Sequence, residues 1–179
     1  MVLILSGPVH GGKTTFLERC LPRWKARGLS LSGFLSPAVT DGDGERGYDL
    51  LEIKDGRRQP YLRRGREPEG VRIGPFAFVP AALERARSII RGADARDLLV
   101  VDEVGPLELG GGGLWPALGQ TIGRPDSKIL LVVREDILKE VAAALAPVEP
   151  CIFDVRDPDV QKLLERSLLQ SVQPDDGQS

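Results

Sequence analysis

Gly7-Pro8-Val9-His10-Gly11-Gly12-Lys13-Thr14 satisfies G-x-x-x-x-G-K-[ST], the Walker A spacing of a phosphate-binding loop. Glycines there let backbone N–H groups turn toward phosphate oxygens without a Cβ in the way. The Lys13 ammonium can reach β- and γ-phosphates, and the Thr14 hydroxyl can ligate Mg²⁺. Thr15 is placed to touch an α-phosphate. Gly7 to Thr15 are therefore the residues expected around a nucleoside triphosphate. His10, the only histidine, fills a variable position of the loop and is expected to be a solvated or hydrogen-bonded residue.

A second stretch, "LLVVDEVGPLEL" at residues 98–109, supplies carboxylates. An apolar strand ending in Asp102 brings an acid to the C-terminal edge of a sheet, where α/β folds bind ligands. Asp102 can complete a Mg²⁺ shell opposite Thr14. Glu103 follows it, and where the backbone turns at a strand end it can orient and deprotonate a water, a Walker B arrangement. Glu108 is a further acid in that loop, open to a role at the water or metal or to a surface role. Arg134, after the strand "KILLVV", falls at the same edge and could stabilise a γ-phosphate. Arg46 or an arginine from a partner could do the same. The run from Arg57 to Arg66 could grip a nucleotide, an acceptor or RNA, but a charged, solvated hairpin is the favoured reading. Tyr48 and Tyr61 are expected to pack rather than stack on bases.

These side chains need a scaffold. Val2–Leu5, Leu31–Leu35, Leu98–Val101, Lys128–Val133 and Cys151–Val155 are short apolar runs with the look of buried strands. Helical spacing covers Lys13–Arg27, Ala81–Arg91, Trp115–Ile122, Glu135–Ala146 and Pro158–Gln170. Pro22 should kink the first of these or shift its end. Tyr48–Ile53 and Gln59–Leu62, flanking Asp55-Gly56, form a hairpin signal. "GGGG" at residues 110–113 must be flexible or tightly turned. Alternation of strand and helix predicts an α/β fold of three layers, with a mostly parallel central sheet and one β-hairpin insertion. Residues 1–170 are expected to form a single domain and 171–179 a disordered tail.

The 179-residue length is enough for a sizeable core, and the net charge of -2 gives no global attraction to nucleic acid or an acidic membrane. "MVLIL" lacks the basic region of a signal peptide, and no apolar run reaches the ~20 residues that span a bilayer. A cytoplasmic, monomeric protein with a nucleotide as its partner is the expectation. Cys20 and Cys151 are expected to be two buried, reduced thiols.

Three classes share such a loop: hydrolase, kinase and switch. Asp102 to Gly105 also fits the D-x-x-G of GTPase switches, but the N-K-x-D guanine reader is missing where the chain runs "VVREDIL". The acidic pair favours water activation, so a Mg²⁺-dependent hydrolase of nucleoside triphosphates leads. A small-molecule or nucleotide kinase and a slow nucleotide-binding switch are the alternatives.

Four stretches, "GPVHGGKTT", "SGFLSP" with "GERGYDLLEI", "VRIGPFAFVPAALERA" and "LLVVDEVGPLEL", occur in that order. Through them the chain resembles the thermostable nucleoside-triphosphatase family, whose human members are called cancer-related nucleoside-triphosphatases. The family's pattern at the last stretch is close to D-E-I-G-x-x-E, and the resemblance covers residues 1 to about 134. It implies a RecA-like P-loop NTPase fold and Mg²⁺-dependent hydrolysis of ATP, GTP and other triphosphates to the diphosphate and phosphate. By motif, Lys13, Thr14, Asp102 and Glu103 inherit the phosphate, metal and water-activating roles. The four glycines after Glu108 depart from the family and could alter closure over the γ-phosphate.

Overall fold

The computed structural model describes residues 1–42, 44–65 and 71–170. The expected tail and Arg66 lie outside them.

Four of the five apolar runs become strands whose alternate side chains have apolar partners on both faces, while the last, at the sheet edge, leaves Cys151 and Ile152 exposed. β1 (Val2–Gly7), β2 (Leu31–Leu35), β8 (Leu98–Val104), β9 (Lys128–Arg134) and β10 (Cys151–Asp154) run parallel in the order β10-β1-β9-β8-β2. Val2 and Ile4 point into one core, Leu3 and Leu5 into the other, as the two-residue strand period requires. β8 and β9 alternate in the same way.

Two helices close one face. α1 (Lys13–Ala26) contributes Phe16, Leu17, Cys20, Leu21 and Trp24, and α6 (Val160–Gln170) contributes Val160, Leu164 and Leu168. α2 (Pro80–Arg91), the short α3 (Pro106–Leu109), α4 (Trp115–Ile122) and α5 (Leu138–Ala144) close the other, through residues such as Ile90, Leu118 and Val141. The expected three layers are present. Pro22 lies inside α1 without ending it. It sits on the exposed side, while the buried face holds the helix together across the lost N–H. The segment after β9 begins as a 3₁₀ turn over Glu135–Ile137 before α5 starts.

The hairpin insertion is larger than its turn signal implied. β4 (Gly44–Glu52) and β5 (Arg58–Arg64) flank Asp55-Gly56, but β4 also pairs antiparallel with β2 and with β3 (Ala38–Asp41). β7 (Phe76–Phe78) and β6 (Arg72–Ile73) continue beyond β5. The result is one mixed ten-stranded sheet. Its parallel half carries the phosphate loop and its antiparallel half forms a wall beside it.

Cys20 is buried, but Cys151 is exposed, against the expectation for both thiols. β10 ends the strand order at the edge of the sheet, so Cys151 has no strand beyond it. No helix among the described residues is long and apolar enough to cross a membrane.

Candidate active site

The phosphate loop joins β1 to α1, and its shape depends on its glycines. Gly12 caps α1 at φ 79°, in left-handed conformation, with no side chain to accept from the first turn. A Cβ on Gly11 would stand 2.9 Å from the Pro8 carbonyl oxygen, and one on Gly7 would stand 2.6 Å from Val155 Cγ1. Gly11 N–H donates to Pro8 O at 3.0 Å, which closes the loop. The positive end of a 14-residue helix faces the concavity.

Lys13 is buried, and its Nζ donates to the carbonyl oxygens of Gly7 (3.0 Å) and Pro8 (2.6 Å). Burial lowers its pKa, against the pull of Glu103 and Asp102. The ammonium is thus parked on the loop's own carbonyls. His10 is exposed at φ 58°, with Nδ1 3.8 Å from a carboxylate oxygen of Glu45.

Asp102 is fully buried. Its Oδ2 accepts from Thr14 Oγ1 (2.8 Å) and from the Ser36 N–H (2.9 Å), while Oδ1 has no partner. Burial raises its pKa, and the Ser36 and Thr14 hydrogen bonds oppose that rise. A carboxylate and a hydroxyl 2.8 Å apart, with one carboxylate oxygen left unsatisfied, make a hard-oxygen pair suited to Mg²⁺. Among the described residues no three His, Cys, Asp or Glu side chains could enclose a metal alone.

Glu103 reaches the same side as Asp102 through a bulge. Val101 pairs with Leu131 and Val104 with Val133, so β8 carries one extra residue across this interval. Glu103 takes φ 66° there. Alternation would otherwise have turned it to the far face. Water reaches the side chain through the open cleft, yet protein encloses the carboxyl on its other sides. That crowding, followed by the charge of Asp102, pushes its pKa up to about 8, against Lys13 and Arg134.

Arg134 stands level with Gly7, because β1 and β9 pair in parallel with that register. Its Nε donates to Asp136 Oδ1 at 3.0 Å, and Nη2 pairs with Oδ2. The loop, Glu103 and Arg134 line one cleft of about 480 Å³, together with Ser36, Tyr48 and Arg58. Thr15, Val9 and His10 also line it, whereas Gly7 and Pro8 act beneath it through their carbonyls.

Glu108 does not face this cleft. It is 2% exposed, and its carboxylate accepts from Gly105 N–H (2.8 Å) and Leu114 N–H (3.0 Å). It takes neither the catalytic nor the surface role expected of it, and instead ties the loop after β8 together. The glycine run wraps around it: a Cβ on Gly113 would stand 2.1 Å from Glu108 Oε1. Those glycines line neither this cleft nor the one beside it. Arg46 pairs with Asp41 and lines neither this cleft nor the one beside it. The arginine run is largely structural. Arg58 and Arg63 pair with Asp49, and Arg57 with Glu52. Tyr61 packs in the core as expected, but Tyr48 is half-buried and faces the cleft. Ser36, whose N–H donates to Asp102, lies in the "SGFLSP" stretch of the family resemblance, where no role was read for it.

A sequence model of the NTPase family matches residues 2–167. The chain belongs to this family. It is 32% identical over 108 residues to nucleoside-triphosphatase THEP1 of Methanopyrus kandleri, a match covering 60% of this chain but only 59% of that protein. It is 30% identical over 138 residues to the human cancer-related nucleoside-triphosphatase, covering 72% of each. The solution structure of a human cancer-related nucleoside triphosphatase superposes with a TM-score of 0.73 at 26% identity, over 96% of this chain and 98% of that one. The family match contains the phosphate loop, the acidic pair and Arg134.

Proposed function

We propose that the chain is a Mg²⁺-dependent nucleoside-triphosphatase that cleaves the terminal phosphoanhydride of ATP, GTP and related triphosphates. The observation that carries this reading is the convergence of Thr14, Asp102 and Glu103 beneath one phosphate loop, with an unsatisfied oxygen on Asp102. The relatives' names are consistent with it.

In this account the loop N–H groups and the α1 N-terminus bind the β- and γ-phosphates. Lys13 leaves the Gly7 and Pro8 carbonyls for the phosphate oxygens. Thr14 and Asp102 hold Mg²⁺, which when bound neutralises charge on the phosphoryl group. Glu103 orients a water and takes its proton while the water oxygen bonds to the γ-phosphorus. The bond from phosphorus to the bridging oxygen breaks, and the nucleoside diphosphate leaves. Arg134, which lines the cleft with Glu103, stabilises the charge spread over the transferring group. The site holds no guanine reader at the "VVREDIL" turn, so low base selectivity is expected.

Glu103→Gln should keep Mg²⁺-nucleotide binding and lose phosphate release by about 10²–10⁴-fold, the usual worth of a general base. Binding is read by equilibrium dialysis and release by a phosphate assay. Unchanged turnover would refute the role of Glu103.

A further inference from the structure

A second cavity, of about 730 Å³, opens beside the first. The two share Val9, His10, Lys13, Tyr48, Glu103 and Arg134. Gly11, Gly12, Thr14 and Thr15 line only the first. The three side chains that meet the γ-phosphate in the proposed function, Lys13, Glu103 and Arg134, are all shared. The unshared Gly11, Gly12, Thr14 and Thr15 belong to the loop and helix turn that hold the triphosphate chain from its other side. The second cavity therefore begins where the γ-phosphate ends, on the side away from the nucleoside of the bound triphosphate.

Hydrolysis needs room there for one water, about 30 Å³. A space of about 730 Å³ falls in the range of about 300–1,000 Å³ that holds a small organic ligand. Its walls suit a planar one. Tyr48 and Phe76 meet edge to face at 5.6 Å, and the Arg64 guanidinium lies 4.9 Å above the Phe76 ring. Ile73 and Leu107 add apolar surface, and Arg72 stands exposed at the margin. Glu45 also lines the cavity and accepts from Tyr48 Oη at 2.8 Å. β4 to β7 build this wall, which a parallel sheet with a phosphate loop does not need for binding a triphosphate.

We propose that this cavity is a phosphoryl-acceptor site for an aromatic alcohol of nucleoside size, so that the protein has a kinase activity beside its hydrolysis. The inference rests on the triphosphate occupying the first cleft and on Glu103 acting as the base. The acceptor hydroxyl takes the position of the water. Glu103 accepts its proton, the hydroxyl oxygen bonds to the γ-phosphorus, and the bond to the bridging oxygen breaks. The products are a phosphate monoester of the alcohol and the nucleoside diphosphate, with the proton left on Glu103 and then released to solvent.

The test uses the full chain, Mg²⁺ and ATP labelled in its γ-phosphate. Adenosine, guanosine, cytidine, uridine, thymidine and pyridoxine are offered one at a time as probes. Thin-layer chromatography separates labelled monoester from labelled inorganic phosphate. At least one probe should gain label, at a rate roughly tenfold or more above acceptor-free phosphate release, because the cavity positions its hydroxyl. Phe76→Ala and Arg72→Glu should each cut that transfer while leaving release from Mg²⁺-ATP alone as in the unaltered chain. Label in inorganic phosphate alone with all six probes would overturn the acceptor site and leave the hydrolase reading standing. So would variants that lower transfer and release in equal measure. Absence of both products would overturn the two readings together.

Discussion

Glu103 holds a backbone conformation that L-residues rarely adopt, at φ 66°, and this places two acids on one side of a strand. Left-handed backbone at a non-glycine residue costs roughly 1–2 kcal/mol, and here it sits at the proposed base. The crowded carboxyl, raised from 4.5 to about 8, gives a pH signature. Between those values the folded, metal-free protein keeps a proton that the unfolded chain has released. The folded state thus binds more protons, and stability from this group falls as pH rises through that window. Denaturant unfolding of the metal-free chain should show it losing stability relative to Glu103→Gln from pH 5 to pH 8, and Mg²⁺ should reduce the difference. A constant difference across that range would contradict the raised carboxyl. At this scale the sequence was legible where a motif ties residue type to spacing: Lys13 and Thr14 line the cleft, and Asp102 is buried behind Thr14, which donates to it. Arg134 was placed at the correct edge because parallel strands of similar length end together. Glu108 was misread, since its task is set by the fold of the loop after β8, which leaves no trace in spacing. Nor does spacing show a bulge, so the reason Glu103 faces the cleft emerged only from the pairing of β8 with β9.

At the scale of elements, β2 joins the parallel half of the sheet to the antiparallel half, and Gly33 allows its close approach to β8. A Cβ there would stand 1.9 Å from the Val100 carbonyl oxygen, at φ 104°. Gly33→Ala should therefore destabilise the chain by about 3 kcal/mol, toward the upper end for overpacking with backbone strain. Urea unfolding measures it, and a change under about 0.5 kcal/mol, the scatter of neutral substitutions, would contradict the close approach. The buried strands and most helices were readable from period and apolar run. β3 was not, because Ala38–Asp41 is short and largely exposed and gains its order only by pairing with β4. β6 and β7 were hidden for the same reason, being two and three residues long. Such strands are made by partners rather than by their own composition. Pro22 shows the converse case, in which tertiary packing overrides a local breaker.

For the molecule as a whole, two cores on opposite faces of one sheet fix the C-terminal strand edge, and every proposed catalytic group lies along it. A ligand that binds only this assembled edge stabilises the fold by mass action, about 2.7 kcal/mol at a hundred times its dissociation constant. For a chain of this size that corresponds to a melting-temperature rise of roughly 5–10 °C with Mg²⁺ and a non-hydrolysable triphosphate. Lys13→Ala should lose most of that rise; an equal rise in both proteins would contradict the phosphate cradle. Hydrolysis at the joint site of loop and acidic pair is read out by phosphate release from a panel of nucleoside triphosphates with Mg²⁺ and nothing else added. Steady release with several bases, abolished by Glu103→Gln, is the predicted result, and no release with any triphosphate would contradict it.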